Sequence, residues 1–226
     1  MFYNYYSLCS NIEMSLSEYK SLESLPCFNK NTVRSIVKKS EKTLSVAIER
    51  MLKSGYLVQL KKGLYTTEKF FESNKNDVRF GEYIATVLRY PSYLSLEYVL
   101  SKHEMLTDIS YGFTSVTTKT TRDYTNKLGT FSYKKLKKDL FLGYEINQFY
   151  DANYYIASKA KALFDYLYFR KALIDSTDNV VDNLRINLSN FNTKDFNMLN
   201  NFSEKSGDLK LQKIVFSLEK YAHFGK

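Results

Sequence analysis

The side chains in this sequence best placed to do chemistry are cations, and the chemistry open to them is the neutralisation of phosphate. Between Phe28 and Lys62 stand Lys30, Arg34, Lys38, Lys39, Lys42, Arg50, Lys53, Lys61 and Lys62, opposed only by Glu41 and Glu49. The whole chain has a formal net charge of +9, which favours a polyanionic partner. Catalytic constellations have little support. His103 and His223 lie far apart and neither has metal-ligand spacing. His103 continues an apolar helical pattern and reads as a helix-end or partly buried structural residue; His223 reads as solvated. Asp108, Asp123, Asp139 and Asp151 are separate loop or edge acids, and Asp165, among apolar residues, reads as a cap or a local salt bridge. There is no GxGxxG, no GxxxxGK[ST] and no GxSxG. No catalytic residue, metal or cofactor is therefore expected, and an enzyme acting on nucleic acid is the least supported reading.

A basic face works only if an element presents it. Ser15 with Glu18 fits a capping box, and Leu16, Tyr19, Leu22 and Leu25 share one helical face ahead of Pro26. A second helix is predicted over Asn31–Lys39. Ser40 then caps a third, Glu41 to Ser54, which Gly55 stops. Within it Leu44, Ala47, Ile48, Met51 and Leu52 follow the helical period inward, leaving Lys42, Thr43, Ser45, Val46, Glu49 and Arg50 outward. Two short strands, Tyr56–Leu60 and Leu64–Thr67, flank Lys61-Lys62-Gly63. That order predicts a winged helix-turn-helix over residues 1–67, a module whose usual work is to lay one helix in a DNA major groove. Lys42, Thr43, Ser45, Val46, Glu49 and Arg50 are its expected reading face, with Lys61, Lys62, Arg34, Lys38 and Lys39 as further DNA-binding residues. The same module can instead dock a protein.

Polar residues 68–77 read as a linker to a second domain, residues 78–226. Helices are predicted from about Arg79 to Arg89 and from Ser92 toward His103. The alternating, β-branched Gly112–Thr118 reads as a strand, with Leu128–Lys134 as its partner across a loop holding Thr120 to Asn126. A further strand is expected near Leu140–Ile146. A helix from Ser158 to Ile174 would turn Ala160, Leu163, Phe164, Leu167, Tyr168 and Ala172 inward. Residues 178–226 read as a helical tail broken near Asn190–Asn192 and at Ser206-Gly207. The expected class is thus α+β: a winged helix plus a mixed α/β domain with a small sheet. A second basic group, Lys119, Arg122, Lys134, Lys135, Lys137 and Lys138, crowds the strand pair. It could touch phosphate, meet an acidic protein face, or guard an edge strand.

The bulk numbers limit the rest. With 44% hydrophobic residues in a chain of 226, packed domains are expected and disorder is not. Cys9 and Cys27 are too few for a disulfide framework and are expected to be reduced, which points to the cytoplasm. No run approaches ~18 apolar residues, and Met1–Tyr6 lacks the features of a signal peptide. The many Asn, Lys, Tyr and Phe residues reflect an AT-rich genome.

Four segments together resemble a known family. They are Tyr93-Leu94-Ser95-Leu96-Glu97-Tyr98-Val99-Leu100, Thr114-Ser115-Val116-Thr117-Thr118-Lys119-Thr120-Thr121-Arg122, Leu128-Gly129-Thr130-Phe131-Ser132-Tyr133 and Ile156-Ala157-Ser158-Lys159-Ala160-Lys161-Ala162-Leu163-Phe164-Asp165. In order and spacing behind a winged helix, they resemble the AbiEi family, the antitoxins of type IV toxin–antitoxin (abortive-infection) systems. The resemblance covers roughly residues 15–175. Glu97-Tyr98-Val99, Lys134 and Ser158-Lys159-Ala160-Lys161 depart from the family's usual residues. The resemblance implies an N-terminal domain that binds an inverted repeat in its own promoter and represses it. It implies a C-terminal domain that neutralises a cognate nucleotidyltransferase-like toxin, with or without a stable complex.

Overall fold

The computed structural model describes residues 16–37, 41–106, 112–174 and 180–224. The chain forms two compact units, one of Met1–Ile84 with Asn126–Leu128, the other of Ala85–Thr125 with Gly129–Lys226. Each is a mixture of helix and sheet.

In the first unit α1 (Leu16–Glu23), β1 (Phe28–Asn29), α2 (Lys30–Val37) and α3 (Glu41–Lys53) precede the hairpin β2 (Leu57–Lys61) and β3 (Leu64–Thr67). Asn29 starts α2 by accepting the backbone N–H groups of Asn31 and Thr32 on Oδ1 at 2.8 and 3.1 Å, which satisfies donors the first helical turn leaves free. Gly55 (φ 76°) lets the chain leave α3 through the left-handed region, and Gly63 (φ 80°) does the same at the hairpin turn. The three strands form an antiparallel sheet in the order β1-β3-β2. Leu22, Phe28, Val33, Leu44, Ile48, Met51 and Leu57 make the core. Helix pattern therefore sends α3's apolar stripe inward as expected, whereas β1, two residues long, was not legible.

The segment expected as a linker, residues 68–77, is instead largely a helix. In α4 (Glu68–Asn74) Thr67 Oγ1 caps the first turn by accepting Phe70 N–H at 3.2 Å. Phe70 and Phe71 are buried, their ring centroids 5.5 and 6.5 Å from Phe80 in edge-on contact. Two adjacent aromatic rings bury enough area to fold a stretch whose other residues are polar. The division between the units falls later, within α5 (Val78–Leu88).

The second unit is built on a six-stranded sheet in the order β6-β7-β5-β4-β9-β8. Its strands are β4 (Ser92–Leu94), β5 (Phe113–Thr117), β6 (Arg122–Asn126), β7 (Gly129–Lys135), β8 (Tyr144–Phe149) and β9 (Ala152–Ala157). The expected small sheet is thus larger. Its two predicted partners, β5 and β7, are neighbours, but they run parallel. The presumed loop between them is itself strand β6, at the sheet edge. Parallel neighbours cannot be joined by a tight turn, and β6 carries the chain back. The helix expected right after Ser92 begins later: Ser92–Leu94 is a wholly buried strand, and α6 (Leu96–Lys102) follows. α7 (Lys159–Arg170) buries Ala160, Leu163, Phe164 and Leu167, but Ala172, expected inward, is exposed and lies in a 3-10 turn beyond the helix. The tail is α8 (Val180–Leu184), α9 (Thr193–Ser206) and α10 (Leu209–Phe224), broken at the two places expected. Among the described residues no helix is long and apolar enough to cross a membrane.

Candidate nucleic-acid interface and a buried ion pair

α3 presents a clean division of labour. Leu44, Ile48 and Met51 are buried, while Lys42, Thr43, Ser45, Val46, Glu49 and Arg50 are all exposed. Lys30, at the start of α2, donates from Nζ to Ser45 Oγ at 2.7 Å, adding a cation to this face. Glu49 pairs with Lys53 at 2.8 Å, and the Lys53 hydrogen bond holds the Glu49 carboxyl below its usual range. The acid on the face is thereby balanced by a neighbouring cation. Arg34 is exposed on α2, and Lys62 is exposed at the hairpin turn; Lys61, expected as its equal, is half-buried as the last residue of β2. Lys38, Lys39 and the expected cap Ser40 lie outside the described residues.

The second basic group is also exposed: Lys119, Arg122, Lys134, Lys135, Lys137 and Lys138. The edge-guarding role fits only Arg122, because Lys134 and Lys135 lie on β7, an interior strand. Arg122 rests over the Tyr124 ring, 5.4 Å from its centroid. The threonine-rich loop beside it is not the open row of hydroxyls that its composition suggests. Thr117 Oγ1 donates to Pro91 O at 2.7 Å. Arg89 donates to Thr120 O from Nε at 2.9 Å and to Thr120 Oγ1 from Nη2 at 2.5 Å. Thr121 Oγ1 accepts Lys135 N–H at 3.2 Å. These groups brace the loop within the protein.

Asp165, expected as a cap or a local salt bridge, forms the salt bridge and has further partners. Lys161 and Asp165 are both fully buried one turn apart on α7, with Nζ 2.7 Å from Oδ1. Tyr93 Oη and Ser95 Oγ both donate to Asp165 Oδ2, at 2.9 and 2.8 Å. Lys161 Nζ also donates to Leu140 O at 2.8 Å and lies 4.3 Å from the centre of the Phe164 ring. Burial pushes the Lys161 ammonium down and the Asp165 carboxyl up, while each group holds the other charged. Leu96, next to Ser95, sits at φ 61°, a conformation that a branched side chain adopts only when its surroundings impose it. With no exposure to solvent, the cluster ties β4, α7 and the turn at Leu140 together; it is not open to a substrate. The signal available in the sequence was a Lys and an Asp four apart inside an otherwise apolar helix.

Other titratable groups are unremarkable in placement. His103 caps the C-terminus of α6 and is half-buried, as expected, with burial and then Lys159 and Lys102 lowering its pKa. The His223 side chain, Cys9 and Asp108 lie outside the described residues. Cys27 is a free thiol 3.5 Å from Tyr83 Oη, and burial pushes its pKa up. Among the described residues no group of three or more His, Cys, Asp or Glu is placed to hold a metal ion. The chain matches no protein-family model and no curated protein.

Proposed function

We propose that this chain is a DNA-binding autorepressor and antitoxin of the AbiEi type, whose first unit is a winged helix-turn-helix. The observation that carries the DNA-binding half is the two-sidedness of α3. One side supplies Leu44, Ile48 and Met51 to the core, and the other exposes Lys42, Thr43, Ser45, Val46 and Arg50 ahead of a Lys-Gly hairpin. Short polar side chains with an Arg about two turns on suit a helix that enters a major groove. The antitoxin half rests on the resemblance of the four segments. It draws support from Tyr93 and Ser95 of the first segment bonding Asp165 of the last, as segments that define one domain should.

The expected partners are promoter duplex carrying an inverted repeat and a nucleotidyltransferase-like toxin encoded beside this chain. The DNA-binding half is tested by gel retardation with the DNA upstream of the reading frame. Wild-type protein should retard it at physiological salt, and Arg50→Ala should weaken binding by about 1–3 kcal/mol. No retardation by the wild type would overturn the DNA-binding reading. The antitoxin half is tested by co-expression with the neighbouring reading frame: rescue of growth supports it, and growth arrest unaffected by this chain overturns it.

A further inference from the structure

On the reading of α3 as a helix that enters a major groove, we infer that Val46 is a specificity-determining residue that reads the 5-methyl group of thymine. Val46 is the one aliphatic side chain on α3's outward face, and it is 42% exposed. It lies outside the core formed by Leu44, Ile48 and Met51, and a β-branched residue on an exposed helical face is a weaker helix former than alanine.

Its place among its neighbours is what points to a base. Lys42 lies one turn before it and Arg50 one turn after, both exposed. Residues four apart share a helical face. Each is displaced about 6 Å along the axis, close to two base-pair rises of ~3.4 Å. With the two cations held by phosphate or by a guanine edge, the valine between them faces a base edge. The major-groove feature an alkyl side chain can recognise there is the thymine methyl, since every other group presented is a hydrogen-bond donor or acceptor. Thr43, one turn before Val46, and Ser45, beside it, are short side chains, and the Lys30 ammonium rests on Ser45 Oγ at 2.7 Å, adding a further cation to the face that carries Val46. The chain's own composition, with 20 Tyr and 16 Phe, belongs to AT-rich coding DNA, so thymine methyls are plentiful in the DNA this chain would meet.

The test uses two duplexes of the upstream DNA, amplified with dTTP or with dUTP, so that they differ only in the 5-methyl groups. Wild-type protein should bind the uracil duplex more weakly, by roughly fourfold for each methyl that Val46 covers. Val46→Ser, which removes the alkyl group at nearly equal helix propensity, should bind the two duplexes equally, with a thermal midpoint close to the wild type's because the side chain lies outside the core. Equal binding of both duplexes by the wild type would overturn the inference while leaving DNA binding intact. So would a thymine preference that persists in Val46→Ser, which would place the methyl effect in DNA shape or on another residue. Failure of the wild type to bind either duplex would overturn both this inference and the DNA-binding reading.

Discussion

Lys161 and Asp165 meet 2.7 Å apart with no solvent on either side chain, and further hydrogen bonds tie Lys161 to Leu140 and Asp165 to Tyr93 and Ser95. A buried pair of this kind contributes little compared with an apolar pair of the same shape, yet losing one member leaves the other charged or forces it neutral.

Asp165→Asn is therefore expected to lose about 3–5 kcal/mol of unfolding free energy near neutral pH. The loss should shrink as pH rises. Lys161, already lowered by burial, falls further without its carboxylate, while in the unfolded chain it keeps its proton up to the ordinary lysine value of about 10.5. Between those two values the unfolded state binds more protons, so stability rises with pH. Urea unfolding at pH 7, 8.5 and 10 checks this; a loss constant across that range would contradict it.

Gly143 lies beside the same cluster with φ 80°. A Cβ there would come 2.6 Å from Phe202 Cζ and 3.2 Å from Lys161 Cγ. Gly143→Ala thus combines an unfavourable backbone with a steric clash, and about 1–3 kcal/mol of destabilisation is expected. A variant as stable as the wild type in the same unfolding assay would show that Phe202 moves aside freely.

The two faces of α3 should separate stability from binding. Leu44→Ala empties a fully buried position and should lower stability by about 2–5 kcal/mol. Lys42→Ala, on the exposed side, should stay within about 0.5 kcal/mol of the wild type. Thermal unfolding of the two variants beside their DNA retardation decides it: Lys42→Ala should lose binding with stability kept.

Salt dependence offers a further check on the basic face. Removing one phosphate contact should flatten the plot of log affinity against log salt by roughly 0.9. Lys62→Ala, exposed at the hairpin turn, is expected to do so on any sequence of duplex. Lys134→Ala, if that lysine instead meets a protein partner, should leave the slope unchanged. A Lys62→Ala slope equal to the wild type's would remove the hairpin from the interface.

What this amino-acid sequence determined by itself was local. Helical period alone assigned Leu44, Ile48 and Met51 inward and Lys42, Ser45, Val46 and Arg50 outward, because which side of a helix is apolar is written within two turns of chain. Gly55 and Gly63 marked their turns for the same reason: a positive φ is a property of one residue. The failures were non-local. Polar composition disguised α4, whose folding depends on Phe80 receiving Phe70 and Phe71. Strand pattern recognised β5 and β7 as neighbours but could not tell that they run parallel, since direction is decided by where β6 carries the chain. Tyr93 and Ser95 reach Asp165 from about seventy positions away. Only the tertiary structure could bring these residues together, because nothing within a helical turn or a strand repeat records which distant element will cover it.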